Sequence, residues 1–237
     1  MNIAVICAMR DELDAILHTL DQKIIREESV LHNSVYVADY NGNNLYLCLS
    51  GIGKVNSAIM TQKIIDTYQI NYVLNIGVAG ALSDELTFGD IVIANDLVEH
   101  DVDATAFGLA KGQIPRMDIF SFAADAKIVK LLVDNWQKPQ KLHVGRIVSG
   151  DQFVSEAMIA DGLAVEFYAK ACEMEGAAIA HTCYLNNIPF IIIRSMSDKA
   201  GREDADATDS YQRLLAMAAT AAAQVFPYAI DIVTHNA

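Results

Sequence analysis

Five strand-like apolar runs in this chain are each followed by a short segment rich in glycine or acid, and no other feature restricts the fold as much. The runs are Ile3–Cys7, Leu45–Ser50, Tyr72–Ile76, Val144–Ser149 and Ile191–Arg194. The segments that follow or close them are Met9–Glu12, Ser50–Gly53, Gly77–Gly80, Ser149–Phe153 and Arg194–Asp198. Near-continuous apolar runs of this length suit strands buried on both faces. Segments with helical spacing alternate with them: Asp11–Leu20, Val55–Tyr68, Ala123–Trp136, a helix opening at Gly176, and Asp209–Val233, where Pro227 predicts a kink or break. Alternating strands and helices predict an α/β chain with a parallel or mixed sheet covered on both faces. In such sheets ligands bind beyond the strand ends, and glycine lets backbone approach them closely. The five segments are therefore expected to wall one site.

The rest of the chain fits one domain over 1–237, with no repeat, linker or shift in composition. Asn41-Gly-Asn-Asn44 between Val35–Tyr40 and Leu45–Ser50 predicts a hairpin, and Gly89–Ala94 a further strand. From Glu99 to Phe120 periodicity fades, which predicts a functional or interface loop. Lys and Arg total 17 against 30 Asp and Glu, a net charge of -13, so nucleic acid is not expected as a partner. Met1–Met9 has no basic leader and reads as a first strand, not a signal peptide. Leu214–Ile230, interrupted by Gln224 and Pro227, is not expected to span a membrane. Cys7, Cys48, Cys172 and Cys183 form no CxxC pair and are expected to be reduced, which suggests the cytoplasm.

The richest stretch for chemistry is Ala171-Cys-Glu-Met-Glu-Gly-Ala-Ala-Ile-Ala-His181 and the strand after it. Glu173 and Glu175 flank Met174 at a strand-to-helix junction, where acids can face a cleft or stay solvated ahead of the helix. Asp198 follows a buried strand. It can pair with Arg194, or it can act as a general acid with a pKa raised by burial. Glu12 is either a solvated acid in a helix's first turn or a cleft carboxylate. His100-Asp-Val-Asp103 resembles a metal site but lacks further ligands at suitable spacing, so no metal is expected. Gly53-Lys54 is not a phosphate loop, because Val55 stands where Ser or Thr is required.

Six segments, in order from residue 8 to residue 198, resemble one family: Ala8–Glu12, Ser50–Val55, Thr105–Gly108, Ser149–Phe153, Glu173–Glu175 and Arg194–Asp198. They are similar to the 5'-methylthioadenosine/S-adenosylhomocysteine nucleosidases of the nucleoside phosphorylase-like superfamily. The resemblance implies a three-layer α/β/α fold with a central mixed sheet, a homodimer, no cofactor and no metal. It implies hydrolysis of the N-glycosidic bond of 5'-thioadenosine substrates, releasing adenine and a 5-thioribose product, and a place in methionine salvage. Carried over by motif, Glu12 activates water, Glu175 binds the ribose hydroxyls and Asp198 protonates adenine N7. Arg194 and Ser197 support them. Phe153 stacks on adenine, and the backbone at Phe153 and Val154 reads its edge. Met9, Ile52, Val78, Met174 and Tyr211 are placed by the resemblance around the ribose and the 5'-thioalkyl group. Ala104, Phe107 and Pro115 complete that pocket from the partner subunit. The chain departs from the family pattern at Cys7 (usually Gly), Val78 (usually Ser or Thr) and Tyr211 (commonly Phe). The competing readings are a nucleoside phosphorylase, for which Arg10 is the candidate phosphate ligand, and a non-catalytic adenosine-binding protein.

Overall fold

The computed structural model describes the backbone of residues 1–20, 23–202 and 208–237, and the side chains of all of these except 208–214. In chain order the elements are β1 (Asn2–Cys7), α1 (Arg10–Leu20), β2 (Ile24–Val30), β3 (Asn33–Tyr40), β4 (Asn43–Leu49), α2 (Lys54–Tyr68), β5 (Tyr72–Ala81) and β6 (Ile91–Glu99). There follow a 3-10 turn at Thr105–Phe107, then β7 (Phe122–Ala123), α3 (Ala126–Asp134), β8 (Leu142–Ser149), α4 (Ala157–Phe167), β9 (Ala169–Glu173), α5 (Gly176–Asn186), β10 (Phe190–Lys199) and α6 (Thr208–Asn236).

The strands form one mixed sheet. β1 lies between β4 and β5, parallel to both, while β3 and β2 extend the sheet beyond β4 in antiparallel order. The last strand, β10, inserts between β5, to which it is parallel, and β6, to which it is antiparallel. β6 pairs with β8, β8 with β9, and β9 returns to the end of β5. These five strands thus close a ring of pairings, a small barrel at one end of the open sheet. Ile3, Val5, Leu74, Ile91, Ile93, Ile191, Ile192 and Ile193 have no solvent exposure, as the apolar runs require. Helices α1, α3 and α6 pack together on the sheet; α2 and α5 pack on each other and α4 on β8 and β9, giving the α/β/α layers.

Most expected elements are present, and the differences have local causes. The hairpin forms at Asn41 and Gly42, both with positive φ (54° and 78°), the turn whose twist matches the flanking strands. β2 escapes sequence reading because it is an edge strand whose Arg26 and Glu27 face solvent. β6 and β10 run further than their apolar cores, through Asp96 and Asp198, because pairing with β8 and with β5 resumes after a one-place irregularity in each strand. α6 runs unbroken through Pro227. Its Ala222, Ala223, Val225, Phe226, Ala229 and Ile230 are buried, so packing holds the helix across one missing N–H. Leu215–Asn236 is, among the described residues, long and apolar enough to cross a bilayer by length and composition, and 50% of it is buried in the fold. All four cysteines are free and buried.

Candidate active site

A cavity of 390 Å³ opens where β1, β5, β9 and β10 end and where the loops after β4 and β8 begin. Glu12, Glu175 and Asp198 all line it, so residues far apart in the chain converge as the strand ends predicted.

Glu12 sits in the first turn of α1 and is 4% exposed. Its carboxylate turns back on its own helix start: Oε2 accepts from Ala8 N (2.9 Å) and Met9 N (3.0 Å). This is the reach-back half of a capping box, which satisfies amides that a helix start leaves open. Oε1 accepts from Val78 N on β5 at 3.0 Å. Burial pushes the Glu12 pKa up, while the Arg194 charge and the three N–H donors oppose it. Gly77 makes room for this group, since a Cβ there would lie 2.4 Å from Oε1.

Glu173 and Glu175 divide the work at the start of α5. Glu173 forms a buried ion pair with Arg194 and accepts from Ser149 Oγ, Glu175 N (3.2 Å) and Gly176 N (2.7 Å). It therefore caps α5, although Glu175 occupies the N-cap position. Glu175 is left to face the cavity, where Oε1 accepts from Gly53 N at 2.8 Å. Burial, and then the Glu173 charge, push the Glu175 pKa up to about 8.

Asp198 reaches the cavity through an irregularity in β10. Between Met196 and Asp198 the register with β5 shifts by one residue. A bulge breaks the alternation of faces, and neighbours Ser197 and Asp198 both line the cavity. Ser197 Oγ lies 2.5 Å from Asp198 Oδ1. Burial raises the Asp198 pKa, opposed by the Ser197 hydroxyl.

The remaining expected residues divide into two groups. Met9, Ile52, Val78, Phe153, Val154, Met174 and Ser197 line the cavity, with Ile52 and Phe153 more than half exposed at its mouth. Arg194 does not line it: the guanidinium is 2% exposed behind the wall and bonds Glu173 and Asn75. The alternative pairing of Arg194 with Asp198 is not formed, because their side chains serve different neighbours. Ala104, Phe107 and Pro115 lie away from this chain's cavity. Ala104 is buried, Pro115 is exposed, and Phe107 is 86% exposed on the 3-10 turn. The side chain of Tyr211 lies outside the described residues. Gln152, Cys172 and Leu215 line the cavity and were not singled out by sequence. Gln152 sits inside the Ser149–Phe153 segment, and Leu215 one helical turn beyond Tyr211, spacings that point to them. His100 is buried with its ring against Gly150. Among the described residues no group of three or more His, Cys, Asp or Glu is placed to hold a metal ion. Arg10 points outward and pairs with Asp14 at 2.8 Å.

Apolar walls and three carboxylates, each with its pKa raised by burial and one of them, Glu12, held by three N–H groups, suit protonation of a base-like leaving group and activation of water. Comparisons with known proteins agree. The phosphorylase superfamily model matches residues 2–231. The 5'-methylthioadenosine/S-adenosylhomocysteine nucleosidase of Staphylococcus carnosus is 42% identical over 207 residues, 85% of this chain and 88% of that protein. The S. pneumoniae nucleosidase of that name, solved with a transition-state inhibitor, has a TM-score of 0.89 at 34% identity, covering 98% of this chain and 100% of that one. A futalosine hydrolase of Helicobacter pylori has a TM-score of 0.88 at 31% identity, covering 98% and 97%. The fold and the carboxylate-lined cleft therefore define a member of the phosphorylase superfamily. Within it, the chain belongs to the 5'-methylthioadenosine/S-adenosylhomocysteine nucleosidase family.

Proposed function

We propose that the chain hydrolyses the N-glycosidic bond of 5'-methylthioadenosine and S-adenosylhomocysteine, releasing adenine and a 5-thioribose product. One observation carries the reading: Glu12, Glu175 and Asp198 face one cavity whose described lining contains no Lys or Arg. Asp198, whose protonated form burial favours, gives its proton to adenine N7, so the base leaves neutral with the electrons of the broken bond. The sugar gains oxocarbenium character, and the nearby carboxylates stabilise it. Glu175 accepts from the ribose hydroxyls; those bonds and the developing positive charge favour its ionised form. Water adds to the anomeric carbon and passes a proton to Glu12. Phe153 stacks on the base and the backbone at Phe153 and Val154 reads its edge, while Met9, Ile52 and Met174 surround the sugar and its thioether.

A phosphorylase would need cationic donors for the attacking anion. Arg10, the one candidate, is paired with Asp14 at the surface. The test is adenine release with and without phosphate. Equal rates and a free thioribose are expected; a strict phosphate requirement with a sugar 1-phosphate product overturns hydrolysis. Stoichiometric nucleoside binding without adenine release would favour the binding-protein reading.

The protein works as a cytoplasmic homodimer. Phe107, Val55, Ile59 and Leu185 are more than half exposed, an apolar surface of the kind that assembly covers. Phe107 and Pro115 close the neighbouring subunit's pocket. A fully active monomer in sedimentation would overturn this.

A further inference from the structure

We infer that Asp101 is a positioning residue: it ties the loop after β4 to the loop after β8, and so fixes the two walls that hold the nucleoside. The inference rests on the nucleosidase reading above. Asp101 belongs to the His100–Asp103 motif, which looks metal-like in sequence and takes no part in the proposed reaction.

The tie is a closed circuit of three bonds. Asp101 Oδ1 accepts from Lys54 Nζ at 2.6 Å, and Oδ2 accepts from Asp151 N at 2.9 Å. Asp151 Oδ1 accepts from Lys54 N at 2.7 Å and closes the circuit. Lys54 Nζ also meets Glu99 Oε2 at 2.9 Å, and Glu99 Oε1 lies 2.9 Å from His181 Nδ1, which anchors the circuit to α5. The side chains of Lys54 and Glu99 are 16% and 11% exposed, so this anchoring pair is shielded, while the three bonds of the circuit itself lie at the surface.

None of the three circuit residues lines the cavity, but residues next to Lys54 and Asp151 in the chain do. Before Lys54 come Ile52, at the mouth, and Gly53, whose N–H donates to Glu175. After Asp151 come Gln152, Phe153 and Val154. Gly53 has φ 95° and a Cβ on it would lie 3.0 Å from Asp151 Oδ1, so the loops meet at a glycine. Glu12 and Asp198, the groups that move protons, are held by β5 and the β10 bulge and do not depend on the circuit.

The test replaces Asp101 by Asn. An amide offers one acceptor where the circuit needs two, and its NH2 would face a donor, so one corner opens. Hydrogen exchange is measured without substrate, and 5'-methylthioadenosine kinetics follow. We expect faster exchange at both 51–54 and 150–154, KM raised about tenfold, and kcat changed by less than about threefold. Adding Asp151→Ala, which removes the acceptor for Lys54 N, should raise KM little further, because the circuit is already open. A purely structural role would lower Tm and the active fraction while leaving KM unchanged, and that result overturns the inference. Unchanged exchange at either loop overturns it too, as do additive effects of the two substitutions. If the wild type releases no adenine, the nucleosidase reading fails, while the exchange measurement still decides whether Asp101 ties the loops.

Discussion

Replacing Asp198 by Asn removes a transferable proton and almost nothing else. The Asn amide oxygen keeps the acceptor that Ser197 Oγ meets at 2.5 Å, and the NH2 group takes the place of the second oxygen. The bulge that presents residue 198 depends on backbone register and is preserved. Binding should therefore survive. Adenine, however, must then leave without a full proton at N7. Positioned general acids contribute about 10²–10⁴-fold, or about 3–5 kcal/mol of barrier. The assay is initial-rate release of adenine from 5'-methylthioadenosine. We expect kcat to fall by at least about 10²-fold with KM within about threefold. A riboside with p-nitrophenol as leaving group, which needs no proton, should keep most of its rate. Because burial raises the Asp198 pKa, the wild-type kcat should decline with pH at a point above the ordinary Asp range, and the variant should lack that limb. A variant kcat within about threefold of wild type would remove Asp198 from the mechanism.

Gly77→Ala places a methyl 2.4 Å from Glu12 Oε1, so the carboxylate must leave its three donors; turnover should fall by about 10²-fold or more, and an unchanged rate would dissociate Glu12 from catalysis. Glu175→Gln should be more stable than wild type at alkaline pH. The folded-state pKa of about 8 lies above the unfolded value of about 4.3, so the stability that Glu175 contributes at low pH is lost as pH rises through this window. Gln does not titrate, and urea unfolding should show the variant gaining roughly 2–5 kcal/mol on wild type between pH 5 and pH 8; parallel pH profiles would contradict this. Val78→Ser puts a hydroxyl beside Glu12 and the water it activates; kcat should rise by about three- to tenfold, and a fall would show that the apolar wall is required.

Strand runs and strand ends were legible in the sequence because their chemistry is local. Consecutive isoleucines at 191–193 announce a buried strand, and an acid just beyond them announces a cleft. What sequence left open was which acid meets which partner. Arg194 lies four residues from Asp198, yet its carboxylate is Glu173, reached only because the strand ring brings β9 and β10 around one centre. The capping of α5 was equally hidden. Glu175 stands at the N-cap, but Glu173 supplies the side-chain bonds and releases Glu175 to the cavity. The Asp198 bulge has no signature in residue type; it appears only as a slip in pairing with β5. The edge strand β2 was missed because its outward Arg26 and Glu27 resemble loop composition.

The insertion of β10 between β5 and β6 also sets a schedule for synthesis. β5 and β6 are neighbours in the chain, but each waits for a partner made about a hundred residues later. Until residues 190–199 leave the ribosome, both present open edges, the feature most prone to pair with the wrong chain. The missing strand also carries Asp198, so a nascent chain gains its proton donor in the same event that seals its sheet. Pairings this distant in sequence are slow to form. Refolding should accordingly show recovery of adenine release and loss of edge-dependent aggregation with one shared time constant.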